Sequence, residues 1–185
     1  MKIKGSGITA LTNFVEDRFG EAALEAWIET LSDNQQPVLR SAFASSWYDY
    51  VEMYLEPMRL MCEHFFSDNT TEGARALGLS AAETQLTGVY RILLKLGSPN
   101  MMISAAGKTW IMLHSAGKLV PVVNEKGNAT IRTKDIPEFN SLVAEVTAAW
   151  MEKALEMAGG NDARVVFSKK EDADGPYFEF ELTWK

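Results

Sequence analysis

The stretch KLVPVVNEKGNATIRTK, residues 118–134, decides the fold, because the spacing of the apolar residues changes there. Up to Gly117 the apolar residues recur at helical spacing, whereas the segments on either side of NEKG alternate as strands do. Lys126 and Gly127 suit a hairpin turn that needs a positive φ. We therefore predict two antiparallel strands here, after a helical layer over residues 1–117.

The chain after this hairpin predicts one helix and two further strands. ARVVFSK at residues 163–169 and YFEFELTW at residues 177–184 alternate and flank an acidic turn. Before them, a helix start at residues 135–138 precedes one apolar helix face, formed by Phe139, Leu142, Val143, Val146, Trp150 and Met157. Residues 118–185 are therefore predicted to form a β-β-α-β-β unit with a four-stranded antiparallel sheet.

The N-terminal two-thirds of the chain is predicted to be helical. Residues 8–19 and 21–31 have apolar residues at helical spacing, and the polar run at residues 32–37 predicts a loop. The apolar run over residues 38–66 predicts a long helix. Within it, Pro57 either starts a new segment or kinks the existing one, and both possibilities remain open.

Two further helices are predicted before the hairpin. Residues 67–80 predict a connector with a short helix, and Ser80 with Glu83 matches the S-x-x-E pattern that satisfies free amides at a helix start. The next helix begins at Pro99 and runs to about Ser115. Together these elements predict an α+β fold, in which the helical layer packs on the four-stranded sheet.

Composition narrows the class of protein. The chain is long enough for a single domain over residues 1–185 with a substantial core, and 46% of its residues are hydrophobic. A formal net charge of −7 disfavours nucleic acid as a partner. No apolar stretch predicts a membrane span. Because Cys62 is the single cysteine and no signal-peptide pattern is present, we expect a cytoplasmic protein.

His114 is the main candidate for chemistry, because it lies four positions after Trp110 on an apolar helix face. An imidazole in such a position is typical of a core-edge residue that hydrogen-bonds to a carbonyl. The other histidine, His64, lies two positions after Cys62, so the two side chains would project about 200° apart and could not share a metal ion. The sequence predicts no protein-bound metal and no catalytic residue.

Aromatic residues and methionines are concentrated in WYDYVEMYLEPMRLMCEHFF, residues 47–66. This run has more apolar surface than one helix face needs for packing inside a small domain. The excess suits a homodimer interface or an apolar ligand pocket. The candidate pocket residues are Trp47, Tyr48, Tyr90, Trp110 and His114.

Two stretches resemble a myxobacterial-type family of uncharacterised single-domain proteins. They are KIKGSGITALTNFVEDRFGEAALEAWIETL at residues 2–31, and SSWYDY followed by VYRILLKLGSPNMMISAAGKTWIMLHSAGKLVPV at residues 45–50 and 89–122. That family in turn looks related to four-vinyl-reductase domains, haem-binding H-NOX sensors and TRAPP trafficking subunits, which share a helical layer on an antiparallel sheet. The resemblance implies a ligand-binding or interaction module, commonly dimeric, and does not imply an enzyme.

The resemblance to H-NOX domains implies a specific role for His114. Those domains place the haem-ligating histidine as L-H in the helix before the first strand pair, where Leu113 and His114 stand here. Their Y-x-S-x-R element, which holds the haem propionates, is missing, because the matching strand reads NATIRTKD with Arg132 as its only arginine. Without that anchor, two buried carboxylates would lack charge partners.

The preferred hypothesis is a non-enzymatic cytoplasmic sensor or scaffold that acts through protein contacts, as a homodimer or with a signalling partner. It would hold an apolar small ligand, and no cofactor is expected. Two alternatives remain open. One is a haem gas sensor with His114 as axial ligand, and the other is an enzyme acting on an apolar or aromatic ligand, with His114 and Tyr90 as a proton-transfer pair.

Overall fold

Helices cover one face of an antiparallel sheet in this protein, which confirms the predicted α+β class. The structure is a computed structural model that describes residues 1–67, 69–87, 97–136 and 138–185. Tyr90, one of the candidate pocket residues, lies outside these ranges. Within them, no helix is both long enough and apolar enough to cross a membrane.

The N-terminal segment contains a small two-stranded sheet as well as helices. Strand β1 (Lys2–Lys4) precedes α1 (Gly5–Phe19), α2 (Glu21–Glu29) and α3 (Gln35–Ser41), and it pairs antiparallel with β2 (Trp47–Asp49). The two predicted helices are confirmed as α1 and α2. The predicted loop is shorter than expected, because α3 already occupies its last residues.

The predicted helix over residues 38–66 is wrong over residues 42–49. Its residues 47–49 are extended because their backbone pairs with β1, where Tyr48 lies opposite Ile3. The Tyr48 hydroxyl also accepts a hydrogen bond from the backbone amide of Phe43 at 2.9 Å, which holds the loop between α3 and β2. The partner strand lies at the start of the chain, so local helical spacing could not reveal the pairing.

A π-helical segment (Val51–Leu55) follows β2 and continues directly into α4 (Glu56–Phe66). Pro57 lies in the first turn of α4, where its missing amide hydrogen is tolerated. Of the two possibilities left open for Pro57, the start of a new segment is therefore the observed one. Single π-helical turns are rare and often occur at functional sites.

The segment predicted as a connector is mostly helical. Helix α5 (Thr70–Thr87) begins well before the predicted start at Ser80. Asn69 caps it, because its Oδ1 accepts from the Glu72 amide at 3.2 Å and its Nδ2 donates to the Glu72 carboxylate at 3.1 Å. The S-x-x-E pattern at Ser80 therefore lies inside a helix and does not begin one.

The last helix before the sheet is divided at Ala105 into α6 (Pro99–Ser104) and α7 (Ala106–Leu113). It ends before the predicted Ser115, because His114 is already extended, with φ −124° and ψ 141°. The imidazole therefore extends from the residue that follows α7, and not from within the helix as predicted.

The main sheet has four strands, and every neighbouring pair is antiparallel. Its strands, in the order β3-β4-β6-β5, are β3 (Lys118–Glu125), β4 (Asn128–Lys134), β6 (Gly175–Thr183) and β5 (Arg164–Asp172). Ile131 and Phe180 lie opposite each other and are buried on the side of the helices, whereas Val166 is exposed on the other side. The predicted hairpin and sheet are confirmed.

Helix α8 (Ser141–Met157) lies between the sheet and α5. Asn140 caps it by accepting from the Val143 amide at 3.0 Å, so the predicted start at residues 135–138 is a few residues too early. Where α8 crosses α5, a Cβ on Gly78 would lie 2.3 Å from the carbonyl oxygen of Val146. Glycine is required there because the two helices approach so closely.

Candidate functional site

A cavity of about 120 Å³ lies between α5, α7, α8, β1 and the main sheet. None of the described residues that line it carries a charged side chain. Most of the wall is apolar, and the side chains with polar atoms belong to Tyr50, Tyr54, Gln85, Thr109, Trp110, His114, Thr147 and Trp150. The site is therefore suited to an occupant that brings little charge into it.

Small residues leave this space open at the meeting of several elements. Ala81 on α5, Ala106 on α7 and Ala154 on α8 all line the cavity. Larger side chains at these positions would fill it, since protein interiors normally pack to the density of organic crystals. The cavity depends on how the helices pack together, because each of the three alanines comes from a different helix.

His114 is held to the N-terminal strand by its backbone. It forms an isolated antiparallel bridge with Ile3, and the amide of the next residue, Ser115, donates to the carbonyl of Lys2 at 3.0 Å. The Ser115 hydroxyl in turn accepts from the Lys2 amide at 2.8 Å. These bonds anchor the end of α7 against β1 and fix the origin of the imidazole.

The ring of His114 lies beside two aromatic side chains. Trp110 is stacked on it, with ring centroids 3.7 Å apart and 13° between the planes. Tyr50 meets it edge to face at 5.7 Å. Trp110 is itself held by its indole Nε1, which donates to the Ala116 carbonyl at 2.9 Å. The imidazole plane is therefore fixed by its neighbours.

The protonation state of His114 follows from its surroundings. Burial lowers the pKa of the imidazole to about 4, despite the opposing effect of its bond to the Trp110 backbone. Nδ1 lies 3.2 Å from the Trp110 carbonyl oxygen, which can only accept, so Nδ1 carries the proton of the neutral ring. Nε2 consequently keeps a free lone pair at neutral pH, the form in which imidazole binds metals.

Tyr50 is a buried polar residue of the site. Among the described residues, neither its hydroxyl nor the Oε2 atom of Glu138 has a hydrogen-bond partner. Burial, followed by the proximity of Tyr54 and Glu138, raises the pKa of Tyr50 well above its ordinary value. The phenol therefore stays protonated and can act only as a neutral hydrogen-bonding group.

The structure brings together only part of the predicted pocket. Trp110 and His114 line the cavity, whereas Trp47 and Tyr48 are not among the described residues that line it. Trp47 is 40% exposed, and the ammonium group of Lys4 lies 4.2 Å from the centre of its ring. As ligand-pocket residues, Trp47 and Tyr48 stay predictions, and Tyr90 falls outside the described residues.

Sequence reasoning missed Tyr50 and Tyr54, which line the cavity from the residue before the π-helical segment and from within it. Both belong to the aromatic run that drew attention to Trp47. Their spacing of four residues is the signal that could have found them, since it places both on one helix face. The predicted helix began too early for that signal to be separated from its neighbours.

Solved structures of H-NOX proteins have the same fold. The Fe(II) unliganded H-NOX protein from K. algicida is 14% identical, with a TM-score of 0.72 over 99% of this chain and 97% of that one. A structure from work on the molecular mechanism of H-NOX activation is 13% identical, with a TM-score of 0.70 over 99% and 97%. A third, from work on modulating haem redox potential through protein-induced porphyrin distortion, is 11% identical with a TM-score of 0.72 over 98% and 100%.

These comparisons assign the chain to the H-NOX fold, and identities this low show the fold alone. The resemblance seen in the sequence is confirmed at that level, while the four-vinyl-reductase, TRAPP and myxobacterial-type relationships stay predictions. No protein-family model and no curated protein matches the sequence.

The expectation of no cofactor is corrected by the same comparison. The similar structures are described as an Fe(II) protein and in work on haem, which contradicts an expectation of no cofactor for this fold. That expectation depended on the missing propionate anchor.

The described residues fit the axial position of a haem but not its carboxylate anchor. His114 offers a neutral imidazole with a free Nε2 on the cavity wall. Arg132 follows Ile131 in β4, so it lies on the opposite face of the sheet, where its Nε donates to Glu179 at 2.6 Å. Its guanidinium is therefore not available inside the cavity.

Proposed function

We propose that this chain is a haem-binding sensor domain of the H-NOX fold, with His114 as the axial ligand of the iron. The observation that carries this proposal is a neutral imidazole, held by the Trp110 carbonyl, on the wall of an apolar cavity. The fold of the structural neighbours supports the same cofactor. Bound haem would supply an iron centre at which a small gas molecule can be sensed.

The residues of this chain would orient and shield that centre. The Trp110 carbonyl keeps the proton of His114 on Nδ1, which leaves Nε2 as the donor atom. The stacked indole of Trp110 fixes the ring plane. The apolar wall excludes water, which strengthens electrostatic interactions at the site.

Haem entry also requires the cavity to enlarge. Its volume of about 120 Å³ lies below the roughly 300–1,000 Å³ of typical ligand pockets. The walls formed by α5, α7 and α8 must therefore move apart, and the propionates must find solvent or partners other than the described lining residues. We therefore expect the affinity for haem to depend on this enlargement of the cavity more than on charge pairing with the propionates.

Reconstitution with haemin tests the proposal. The wild-type protein should bind one haem and show a Soret band shifted from that of free haemin. His114→Ala should lose that shifted band, and added imidazole should restore it by occupying the vacated ligand position. His64→Ala is the matched control, because His64 is exposed on α4 and does not line the cavity.

Two results would reject parts of the proposal. If the wild-type protein produced no shifted Soret band, haem binding itself would be rejected. If His114→Ala gave the same band as the wild type, another residue would be the ligand. Rescue by imidazole separates loss of the ligand from loss of the fold.

The output of the sensor is proposed to be a protein contact, made as a homodimer or with a signalling partner in the cytoplasm. The sequence suggested that the aromatic-rich run over residues 47–66 has apolar surface to spare for a dimer interface. The structure weakens this support, because part of that surface is buried within one chain. Met58, Met61 and Cys62, which belong to this run, are fully buried within one chain. The homodimer therefore stays a prediction, and we assign no catalytic role to His114.

A further inference from the structure

We propose that the haem-free cavity beside His114 binds a neutral, apolar molecule of about the size of benzene. This inference goes beyond the proposed function because it requires neither iron nor porphyrin. It concerns the closed form of the cavity, with the volume and walls described above.

The size of the cavity limits what it can hold. It measures about 120 Å³. An engineered apolar cavity of about 150 Å³ in another protein stays dry and binds benzene or xenon. Because drug-sized ligands need about 300 Å³ or more, the closed cavity selects for a single ring or a smaller molecule.

Most polar atoms on the cavity wall already have partners inside the protein. The Gln85 Oε1 accepts from the indole of Trp150 at 3.1 Å. The hydroxyls of Thr109 and Thr147 donate to backbone carbonyls at 3.2 and 2.8 Å. A stable internal water needs about two to four polar partners. These three side chains are engaged elsewhere, so the Tyr50 hydroxyl and Nε2 of His114 remain as the free polar atoms named above. An apolar occupant therefore displaces little water.

The lack of charge on the described part of the wall restricts the occupant further. The described lining residues include no aspartate, glutamate, lysine or arginine. A carboxylate or ammonium group would lose its hydration here without gaining a partner. The site therefore discriminates benzene from benzoate, although the two rings have similar size.

Binding is measured on haem-free, iron-free protein by thermal unfolding and tryptophan fluorescence, with benzene, benzoate and naphthalene as probes. Benzene at about ten times its dissociation constant should raise the unfolding midpoint by about 3–6 °C. Benzoate should produce no shift. Naphthalene should bind at least tenfold more weakly than benzene, because the closed cavity has no room for a second ring.

Two alanines on α5 provide a matched pair of variants. Ala81 lines the cavity, and Ala81→Leu should fill it and abolish the benzene shift. Ala76 is half-buried outside the cavity, and Ala76→Leu should keep the shift. If Ala81→Leu does not fold, Met151→Ala serves instead, since it enlarges the cavity and should reverse the preference for benzene over naphthalene.

Several outcomes would overturn the inference. These are no benzene shift in the wild type, an equal shift with benzoate, or an unchanged shift in a folded Ala81→Leu variant. A Met151→Ala variant that still binds benzene more tightly than naphthalene would also overturn it. None of these outcomes depends on the Soret band, so failure here and failure of haem binding are distinguishable.

Discussion

At the scale of single residues, His114 shows how surroundings decide the chemistry of a side chain. Its place after Trp110 is readable from the sequence, and so is a hydrogen bond to a carbonyl. The free Nε2 and the neutral ring depend on burial and on the proton held at Nδ1. These properties come from contacts with β1 and Trp110, and they make the residue a candidate iron ligand.

We predict that the free energy of unfolding decreases as the pH falls from about 6.5 to about 4. The unfolded chain takes up a proton on His114 near the ordinary pKa of 6.5, whereas the folded chain resists protonation until about pH 4. The unfolded state therefore binds more protons within this window, and acid favours it. Urea unfolding at several pH values measures the effect.

His114→Gln should flatten this pH dependence, because glutamine does not titrate. His64→Gln is the control and should retain the wild-type slope, since His64 is exposed on α4. The carboxylates titrate in all three proteins and do not affect the comparison. Equal slopes in wild type and His114→Gln would contradict the prediction.

At the scale of elements, α5 shows why a local sequence pattern can misplace a helix start. Ser80 and Glu83 match a start pattern, and Gly73 and Gly78 disfavour an isolated helix over the preceding residues. In the structure Gly78 lies against the backbone of α8, where a larger residue would collide. Packing against α8 therefore compensates for the poor helix propensity of this segment.

We predict that Asn69→Ala lowers the free energy of unfolding by about 1 kcal/mol, because Asn69 provides the cap of α5. Ser80→Ala should change it by less than about 0.5 kcal/mol, since Ser80 lies within the helix and alanine is a better helix former. Urea unfolding monitored by circular dichroism measures both. A larger loss for Ser80→Ala would place the helix start where the sequence pattern predicted it.

At the scale of the whole molecule, α8 connects all parts of the core. Val143 belongs to the cluster of the N-terminal helices, Ala144 to the cluster beneath the main sheet, and Ala154 to a third cluster beside α5 and α6. Because one rigid helix takes part in all three, we expect the clusters to lose their packing together. The single-domain prediction requires this behaviour, because a single domain unfolds as one cooperative unit.

We therefore predict one cooperative unfolding transition for the chain. Leu11→Ala, in the N-terminal cluster, and Leu182→Ala, in the sheet cluster, should each lower the free energy of unfolding by about 2–5 kcal/mol. Circular dichroism and tryptophan fluorescence should report the same midpoint in each variant. A separate early phase in either variant would show that the two parts unfold independently.

The sequence by itself determined the α+β class, the β-β-α-β-β order and the candidate histidine. Each depends on local periodicity or on residue type, and these act over a few neighbouring residues. Even the hairpin that divides the chain is a local signal, since its turn and its strands are adjacent.

Only the tertiary structure decided which residues meet at the site. Trp47 and Tyr48 lie in β2, which pairs with β1 at the start of the chain, and neither is among the described residues that line the cavity. The cavity exists because alanines from α5, α7 and α8 converge, and the state of His114 depends on burial by those same elements. The cavity and the protonation state of His114 depend on contacts between distant segments as much as on residue type. A local sequence pattern therefore does not encode them.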